Sequence, residues 1–502
     1  MNLNQMLERA VKRYGGKTAV AMGEHRLSYA ELDEASNKVA NALMSMGVRK
    51  GDRVAMLLPN SPGFVTTYFG VVKVGGVAVP LDTKYKLDEL TSLYGDSQPK
   101  VLVTESPFLE PLVPVLARFK SIEQVIDLSS KYEGQFLSYQ EVMATSPARA
   151  VEVELEPADI AHIAYTSGPS FHPRGVMMSH QALVREAAIS GDGFQQTDKD
   201  VVVLFALPMH HAFGLVVVML TAIAKGSTVI ILPGLSISSL MEVIEREKAT
   251  IFMGVPFVHG LIVNAAKVEG IRHDLSSLRL WGTAGAAMPA KISEKIKQHF
   301  GLTAVDFWGM TESAAHVTCT SLDATGKPGS VGKALPGWEL GVVDDEGREL
   351  PPNKPGEIVV RGPIMSGYYN NPQATAQVIK GGWLYTGDMG KVDEDGWLFL
   401  LAGRKKDMII AKGQNIYPSD IEEVLHSHPK VAEAAVVGII DEVRGETPRA
   451  VIRLKAGEVA TEHEIKRFCL ERLANYKVPR EFVFTDSLPK AADGKICKED
   501  LR

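Results

Sequence analysis

Short apolar runs alternate with helix-like stretches over much of this sequence. Between residues 201 and 307, apolar segments such as VVVLFALP, STVIILP, ATIFMGVP and LRLWGTAG are separated by amphipathic segments such as SLMEVIEREK and AKISEKIKQHF. A similar alternation runs over residues 54–82. Strands buried on both faces are apolar throughout, and parallel strands need helical crossovers. The pattern therefore predicts layered α/β structure with largely parallel sheets.

The pattern changes twice towards the C-terminus. Between about residues 326 and 402, short strands are separated by the turn signals DDEG and DEDG, which predict hairpins and a small β-barrel. After Gly403 the order helix, strand, strand, helix and lysine-bearing loop predicts a compact α+β unit. Since 502 residues exceed what one hydrophobic core usually serves, we predict a large N-terminal domain, residues 1–402, and a small mobile C-terminal domain, residues 403–502.

Composition and charge exclude several classes of protein. A net charge of −6 and a pI of about 6.2 argue against a nucleic-acid-binding surface. Cys319, Cys469 and Cys497 are widely spaced and form no CxxC pair, so neither a disulfide framework nor a zinc site is indicated and a cytoplasmic protein is expected. The longest apolar stretch, residues 213–224, is shorter than the roughly twenty residues of a membrane span. The sequence leaves open whether the protein forms a homodimer.

A small polar loop follows an apolar strand near residue 166. The order is IAHIAY, then TSGPSFHPRG, then VMMSHQALVREAA, which we expect to enter a helix. Loop amides, hydroxyls and a helix N-terminus together favour an anion, so this segment is a candidate phosphate-binding loop. An ordinary βα turn explains the same composition equally well. The absence of GxxxxGK[ST] speaks against a Walker-type site.

Six further segments follow this loop in a fixed order. They are PMHHAFG at Pro208, GTAGAAMP at Gly282, FWGMTES at Phe307, WLYTGDMG at Trp383, GRKKDMIIAKGQNIYPSDIEE at Gly403 and LPKAADGKICKEDLR at Leu488. In sequence and order they resemble the signatures of the adenylate-forming superfamily, in particular its acyl-CoA synthetase branch of fatty-acid and aromatic-acid CoA ligases. The resemblance spans nearly the whole chain.

The resemblance implies an enzyme that uses ATP and Mg²⁺ to convert a carboxylic acid to an acyl-adenylate, and then transfers the acyl group to coenzyme A. Apolar residues beside the expected pocket favour a medium-sized or larger acid that is fatty, alicyclic or aromatic. Two alternatives stay open. One is an adenylation enzyme that loads an acyl carrier protein, and the other is a weakly active or non-catalytic paralogue.

The resemblance also assigns roles to individual residues. Thr311 would hydrogen-bond the α-phosphate, Glu312 would bind Mg²⁺, and Lys495 would bridge the attacking carboxylate and the α-phosphate. The substrate carboxylate and the α-phosphate are both anions and repel each other, and these groups would offset that repulsion. The other positions matching ATP- or AMP-binding residues are Thr166, Ser167, Gly168, Ser170, Arg174, Gly285, Ala286, Ala287, Asp306, Phe307, Trp308, Gly309, Met310, Asp388 and Arg404.

Further matches concern the acid and coenzyme A. The expected acid pocket contains His211, Phe213, Gly214 and Gly309. Relatives that activate acetate or propionate carry a bulky aromatic residue at the place of Gly309, so glycine there predicts a pocket open to a larger acid. The same comparison implies that Gly413 lines the channel for the pantetheine arm.

The segment GRKKD would contain the hinge between the two domains, at Lys406. The resemblance implies that rotation about it withdraws Lys495 and brings in the loop around Gly413. The ordinary alternative for such a charge run is a basic surface turn.

Structural explanations compete with these roles. Thr311 and Glu312 could cap a helix, and Trp308 could be a core residue. Asp388 alone would indicate an Asx-turn in a hairpin. A lysine such as Lys495 is usually solvated surface. A metal role for His210–His211 or for His426 and His428 is not expected, because no third ligand lies near the first pair and surface histidines on helices are common.

The phosphate loop departs from the family pattern YTSGTTGxPKG. Pro169 removes an amide donor, Phe171 replaces a glycine, and Arg174 replaces a lysine. A stiffer loop would hold the β- and γ-phosphates less adaptably. The sequence leaves open whether this slows the use of ATP, alters the geometry of pyrophosphate, or marks a weakened paralogue.

Replacing Lys495 tests the proposed division of labour. We expect Lys495→Ala to abolish adenylation, measured by pyrophosphate exchange, while thioester formation from supplied acyl-adenylate largely persists. The reason is that only adenylation brings two anions together. Equal loss of both half-reactions would contradict this role.

Overall fold

The computed structural model describes residues 1–129, 131–132, 134–166, 174–269, 273–286, 288–320, 322, 326–404, 408–441, 444–489 and 498–501. The helices are α1 Leu3–Tyr14, α2 Tyr29–Ser45, α3 Pro62–Lys73, α4 Leu87–Ser97, α5 Ser106–Leu109, α6 Tyr139–Thr145, α7 His180–Gly193, α8 Thr221–Lys225, α9 Ile237–Glu247, α10 Pro256–Glu269, α11 Ala290–Phe300, α12 Pro372–Val378, α13 Pro418–Ser427 and α14 Glu462–Arg472. Shorter 3₁₀ helices span Val113–Arg118, Thr311–Ser313 and Lys498–Leu501, and a π-helix spans Phe213–Leu220.

The strands fall into four sheets. They are β1 Thr18–Met22, β2 His25–Ser28, β3 Arg53–Leu57, β4 Val77–Pro80, β5 Val101–Thr104, β6 Gln124–Asp127, β7 Leu137–Ser138, β8 Ile160–Thr166, β9 Arg174–Ser179, β10 Val201–Phe205, β11 Thr228–Leu232, β12 Ile251–Gly254, β13 Leu280–Thr283, β14 Ala304–Trp308, β15 Thr318–Cys319, β16 Lys333–Ala334, β17 Glu339–Val343, β18 Gly356–Arg361, β19 Gly367–Tyr368, β20 Ile379–Lys380, β21 Trp383–Val392, β22 Leu398–Arg404, β23 Ile409–Ala411, β24 Gln414–Ile416, β25 Val431–Asp441, β26 Gly445–Leu454 and β27 Glu481–Phe484.

The first sheet has nine strands in the order β16-β15-β14-β13-β12-β10-β11-β1-β2. Its six central strands, from β14 to β1, are parallel, as the apolar runs predict. Antiparallel pairs finish both edges. Since the carboxyl ends of parallel strands share one edge, residues that follow β13 and β14 are brought side by side.

The second sheet has eight strands in the order β19-β9-β8-β4-β3-β5-β6-β7. The strands from β8 to β7 are parallel, whereas β9 runs antiparallel to β8. Our expectation that VMMSH enters a helix directly after the phosphate loop is therefore wrong. Residues 174–179 form a strand that pairs antiparallel with β8, and α7 begins only at His180.

One large hydrophobic cluster joins these two sheets through the helices between them. Trp281 on β13 and Tyr68 on α3 are among its fully buried side chains. The π-helix 213–220 belongs to the same core, with its residues from Gly214 to Leu220 buried. Among the residues that the structure describes, no helix is long and apolar enough to cross a membrane.

The predicted hairpins are present in a third sheet. Strands β17, β18, β20, β21 and β22 pair antiparallel in it. The DEDG turn joins β21 to β22, with Gly396 at a φ of 85° donating to the Asp393 carbonyl at 3.0 Å. A left-handed φ explains glycine at that turn.

The two predicted C-terminal strands, β25 and β26, lie in a separate sheet with its own core, and β23, β24 and β27 are further strands of that sheet that we did not predict. Strands β24, β23, β26 and β25 lie in that order, and β27 pairs with β26. Helices α13 and α14 pack with this sheet around Ile421, Ile452 and Ile465, all fully buried. We call residues 408–441 and 444–489 the C-terminal unit, and residues up to 404 the large unit. The domain boundary at 402/403 stays a prediction.

Candidate active site

The end of the nine-stranded sheet meets the antiparallel sheet at a hydrogen bond between two predicted nucleotide-binding residues. Trp308, the last residue of β14, donates its indole N–H to Oδ2 of Asp388 on β21 at 3.1 Å. Asp388 lies inside a ten-residue strand and pairs in register with Arg404 on β22. Asp388 is therefore a strand residue, and the Asx-turn interpretation is wrong for it.

Glu312 lies beside this contact and is buried. It follows β14 in the 3₁₀ turn 311–313, and its side chain accepts a hydrogen bond from the Tyr368 hydroxyl at 2.8 Å. Burial, and then the negative charge of Glu312, raises the pKa of Tyr368 well above its ordinary value, so the phenol stays a donor. The guanidinium of Arg174 lies 5.8 Å from the centre of the Tyr368 ring.

This carboxylate is suited to magnesium bound together with a nucleotide. Magnesium is usually held by one or two carboxylates and by substrate phosphates, and a cage of protein ligands is not required. Within the described part of the chain there is no group of three or more His, Cys, Asp or Glu side chains placed to hold a metal. Glu312 would hold the ion, which would supply positive charge beside the phosphates, and Tyr368 orients that carboxylate.

The loop after β13 lies next to β14, where the adenine is expected. Gly285 there has a φ of 82°, a left-handed conformation that favours glycine. Asp306 on β14 pairs in register with Thr283 on β13. Burial raises the pKa of Asp306 to about 7. Ala286 follows Gly285 and is half-buried.

The residues expected at the acid pocket bring aromatic rings and two histidines close together. The rings of Phe213 and Phe307 meet edge to face with centroids 5.0 Å apart, and the rings of His210 and His211 are 4.5 Å apart. Burial, together with the neighbouring His210, lowers the pKa of His211 to about 3, so this ring is neutral near pH 7. A neutral imidazole offers no positive charge to a second carboxylate on the acid, so it suits an acid whose remaining part is apolar.

A buried carboxylate that the motifs did not indicate lies behind the histidines. Asp82 is 2% exposed, and its Oδ2 is 3.6 Å from Nε2 of His210. Burial alone would favour the protonated acid, but His210 and the backbone N–H of Lys84 lower the pKa of Asp82 below its ordinary value. Asp82 follows β4 in a loop far from the histidines in sequence, so no local pattern could have revealed it.

Glycine at position 309 is explained by backbone packing. A Cβ atom there would lie 2.2 Å from the carbonyl oxygen of Ala315 and 2.8 Å from the backbone nitrogen of His316. Backbone packing alone is therefore sufficient to explain the glycine, and the expectation of a pocket open to a larger acid stays a prediction. Gly214 is similar, because its Cβ would lie 2.4 Å from the Pro208 carbonyl oxygen.

The predicted pantetheine-channel residue lies against the large unit. Gly413 has a φ of 78°, and a Cβ on it would lie 2.7 Å from Val255. A Cβ built on Gly285 would lie 3.5 Å from the Gly413 carbonyl oxygen. The neighbouring Lys412 ammonium lies 4.6 Å from the centre of the Phe257 ring. The structure thus brings this loop to the expected adenine side of the site.

Several predicted residues lie outside the residues that the structure describes. They are Ser167, Gly168, Pro169, Ser170, Phe171, Ala287, Lys406 and Lys495. Thr166 and Arg174 bound the phosphate loop and pair with each other at the loop end of the β8–β9 hairpin. Because β9 separates the loop from α7, the argument from the helix N-terminus does not apply to this loop.

The two C-terminal histidines have structural contacts. Nε2 of His426 accepts a hydrogen bond from the Ala434 N–H at 3.1 Å, and the His428 ring packs edge to face on Phe468. The expectation that neither residue binds a metal stays a prediction.

Two family profiles match the chain. The profile described as AMP-binding enzyme matches residues 7–369, and the profile described as AMP-binding enzyme C-terminal domain matches residues 420–495.

Known proteins are similar to the chain over nearly its whole length. It is 33% identical to a long-chain-fatty-acid–CoA ligase of Bacillus subtilis (strain 168), over 99% of this chain and 94% of the relative. It is 34% identical to an indoleacetate–CoA ligase of Aromatoleum aromaticum (strain DSM 19018 / LMG 30748 / EbN1), over 100% and 98%. A solved double mutant of o-succinylbenzoate CoA synthetase from Bacillus subtilis, bound with its product analogue, has a TM-score of 0.88 at 30% identity and covers 99% of this chain and 97% of its own.

Substitution of Gly309 distinguishes backbone packing from control of pocket size. We expect Gly309→Ala to lower the free energy of unfolding by about 1–3 kcal/mol, since the new methyl group overlaps the chain at Ala315. Activity should fall to the same extent for short and long acids. Gly95→Ala is the matched control, because a Cβ there meets nothing within 4 Å. Unchanged stability with a shift towards short acids would contradict the packing explanation.

Removing the Tyr368 hydroxyl tests how Glu312 is held. In Tyr368→Phe the carboxylate loses its donor, and a hydrogen bond to a charged group contributes about 1.5–3 kcal/mol. We expect the Mg²⁺ concentration that half-saturates pyrophosphate exchange to rise roughly tenfold. Tyr369→Phe, which changes the adjacent half-buried tyrosine, is the control. An unaltered Mg²⁺ requirement would show that Tyr368 does not position the ligand.

Proposed function

Since the chain belongs to the AMP-binding enzyme family and is an AMP-forming acid–thiol ligase, we propose that it joins a medium-sized or larger apolar acid to coenzyme A through an acyl-adenylate. One observation carries this proposal. It is the Trp308–Asp388 hydrogen bond, which joins β14 to the antiparallel sheet four residues before the buried Glu312 and so supports a nucleotide site at this junction.

The acid is a fatty, alicyclic or aromatic one. The two curated relatives act, by their names, on a long-chain fatty acid and on indoleacetate, and both acids carry one carboxylate on an apolar body. The Phe213–Phe307 pair and the neutral His211 support the same class here. Because packing explains Gly309, that glycine does not support the choice of acid. The proposed class of acid rests on the aromatic residues and on the relatives.

In the first half-reaction, a carboxylate oxygen of the acid attacks the α-phosphorus of ATP, and pyrophosphate leaves. Glu312 would hold magnesium, which would offset the negative charge of the phosphates. Thr311 donates to the α-phosphate, Lys495 bridges the two anions, and Asp388 accepts from the ribose hydroxyls beside Trp308. Excluding water from this site strengthens each of these interactions.

In the second half-reaction, the coenzyme A sulfur attacks the acyl carbonyl carbon, the thiol loses its proton, and AMP leaves. The loop of Lys412 and Gly413 lies against Val255 and Phe257 in this structure. This contact supports the view that the two units are docked here as the second half-reaction needs them. Rotation about Lys406, between domains 1–402 and 403–502, would exchange this loop for Lys495. The buried free thiols of Cys319 and Cys469 support a reducing, cytoplasmic location.

A panel assay tests the proposal. Fatty, alicyclic and aromatic acids are each incubated with ATP and Mg²⁺, and pyrophosphate exchange and AMP release are measured with and without coenzyme A. We expect exchange without coenzyme A, and AMP and thioester together once it is added. Acyl transfer to a phosphopantetheinylated carrier but not to free coenzyme A would replace the proposal with carrier loading. Absence of exchange with every acid would favour the non-catalytic alternative that the altered phosphate loop raises.

A further inference from the structure

Three charged side chains from the two units meet in a fully buried cluster. The ammonium of Lys477 lies 2.6 Å from Oε1 of Glu89 and 3.0 Å from Oδ2 of Asp420, and all three side chains are 0% exposed. Glu89 lies in the first turn of α4 in the large unit, whereas Asp420 and Lys477 belong to the C-terminal unit. The contact therefore exists only when the units are docked as in this structure.

The second carboxylate oxygen of Glu89 also joins the two units. Oε2 accepts the backbone N–H of Lys86 from its own unit at 3.0 Å and that of Ala474 from the C-terminal unit at 3.0 Å. The Lys477 ammonium also lies 5.3 Å from the centre of the Tyr85 ring. One carboxylate thus fixes the position of the segment 474–477 against the start of α4.

The charges in the cluster depend on docking. Burial alone lowers the pKa of Lys477, but the carboxylates of Glu89 and Asp420 raise it above its ordinary value, so the lysine stays charged. A buried ion pair contributes little net stability, yet removing one partner is costly because the other charge stays buried. When the units separate, water can solvate both sides, so the cluster specifies one docked position without making it irreversible.

We propose that Glu89 and Lys477 form a latch that positions the C-terminal unit for acyl transfer to coenzyme A and that opens for adenylation. This inference rests on the proposed function and deepens it. Asp420 belongs to α13, which follows the Gly413 loop after the short strand β24. Holding Asp420 and Lys477 therefore holds the Gly413 loop against Val255. Glu89 and Lys477 are positioning residues, because the latch acts on the acyl group only through this loop.

The substitution Glu89→Gln removes the charge and keeps the shape. The amide oxygen can still accept the Lys86 N–H, so the start of α4 is retained. We expect acyl transfer from supplied acyl-adenylate to fall roughly 10- to 100-fold, because Lys477 loses a buried partner on docking. Pyrophosphate exchange should change by less than about twofold, since adenylation uses the undocked arrangement. Asp88→Asn is the matched control, because it removes an exposed charge from the same turn.

Hydrogen exchange supplies a readout that does not depend on activity. The Ala474 N–H donates to Glu89 across the two units, so its protection reports docking. We expect faster exchange of this amide in Glu89→Gln and wild-type exchange in Asp88→Asn, with unchanged melting temperatures. Unchanged Ala474 protection, or equal loss of both half-reactions, would overturn the latch.

The wild-type protein separates failure of the latch from failure of the proposed function. If it lacks both pyrophosphate exchange and thioester formation, the proposed function fails, while Ala474 protection still decides whether Glu89 holds the units together. If both half-reactions proceed and Glu89→Gln behaves as wild type in each, the latch fails and the proposed function stands.

Discussion

The site depends on one hydrogen bond between sheets of different kind. The Trp308 indole at the carboxyl end of β14 donates to Asp388 in the middle of β21. Parallel strands bring the residues that follow them to one edge of the sheet. A side chain that faces this edge from the opposite side must come from another part of the chain. The antiparallel sheet supplies it, and the indole N–H fixes the separation of the two sheets. Glu312 and Tyr368 then complete the site with a buried carboxylate and its donor.

The two ends of this candidate site differ in charge, as the two proposed substrates do. Glu312 is the acidic group at the expected phosphate end, with Arg174 beside Tyr368, whereas His211 at the acid end is neutral. Asp82 is buried, and its Oδ2 lies 3.6 Å from Nε2 of His210. This distribution supports the proposal that one end of the site takes a metal-bound polyanion and the other an apolar body with one carboxylate.

Local patterns predicted much of the fold, because helix and strand periodicity and turn residues act over short distances. The helix over 290–300, the DEDG turn and the order α13, β25, β26, α14 all follow from such patterns, whereas the short strands β23, β24 and β27 were not predicted. Strand β9 escaped prediction because six residues that run directly into α7 show too little alternation to separate from a helix start. The sequence did not predict the roles of Tyr368 and Asp82 or the packing around Gly309. Each depends on a contact between segments that only the folded chain brings together. Glu89, Asp420 and Lys477 resemble ordinary surface charges in sequence, and only docking of the two units buries them.

The buried cluster also constrains recombination between related enzymes. Glu89 lies early in the chain, whereas both of its charged partners lie in the last fifth. A crossover anywhere between α4 and α13 would transplant Asp420 and Lys477 without Glu89. A hybrid whose other parent carries an apolar residue at the place of Glu89 would leave the Lys477 ammonium with Asp420 but without its partner from the large unit, in a dry interface. The two halves of such an enzyme must therefore be inherited, or engineered, with these three charges matched as a set.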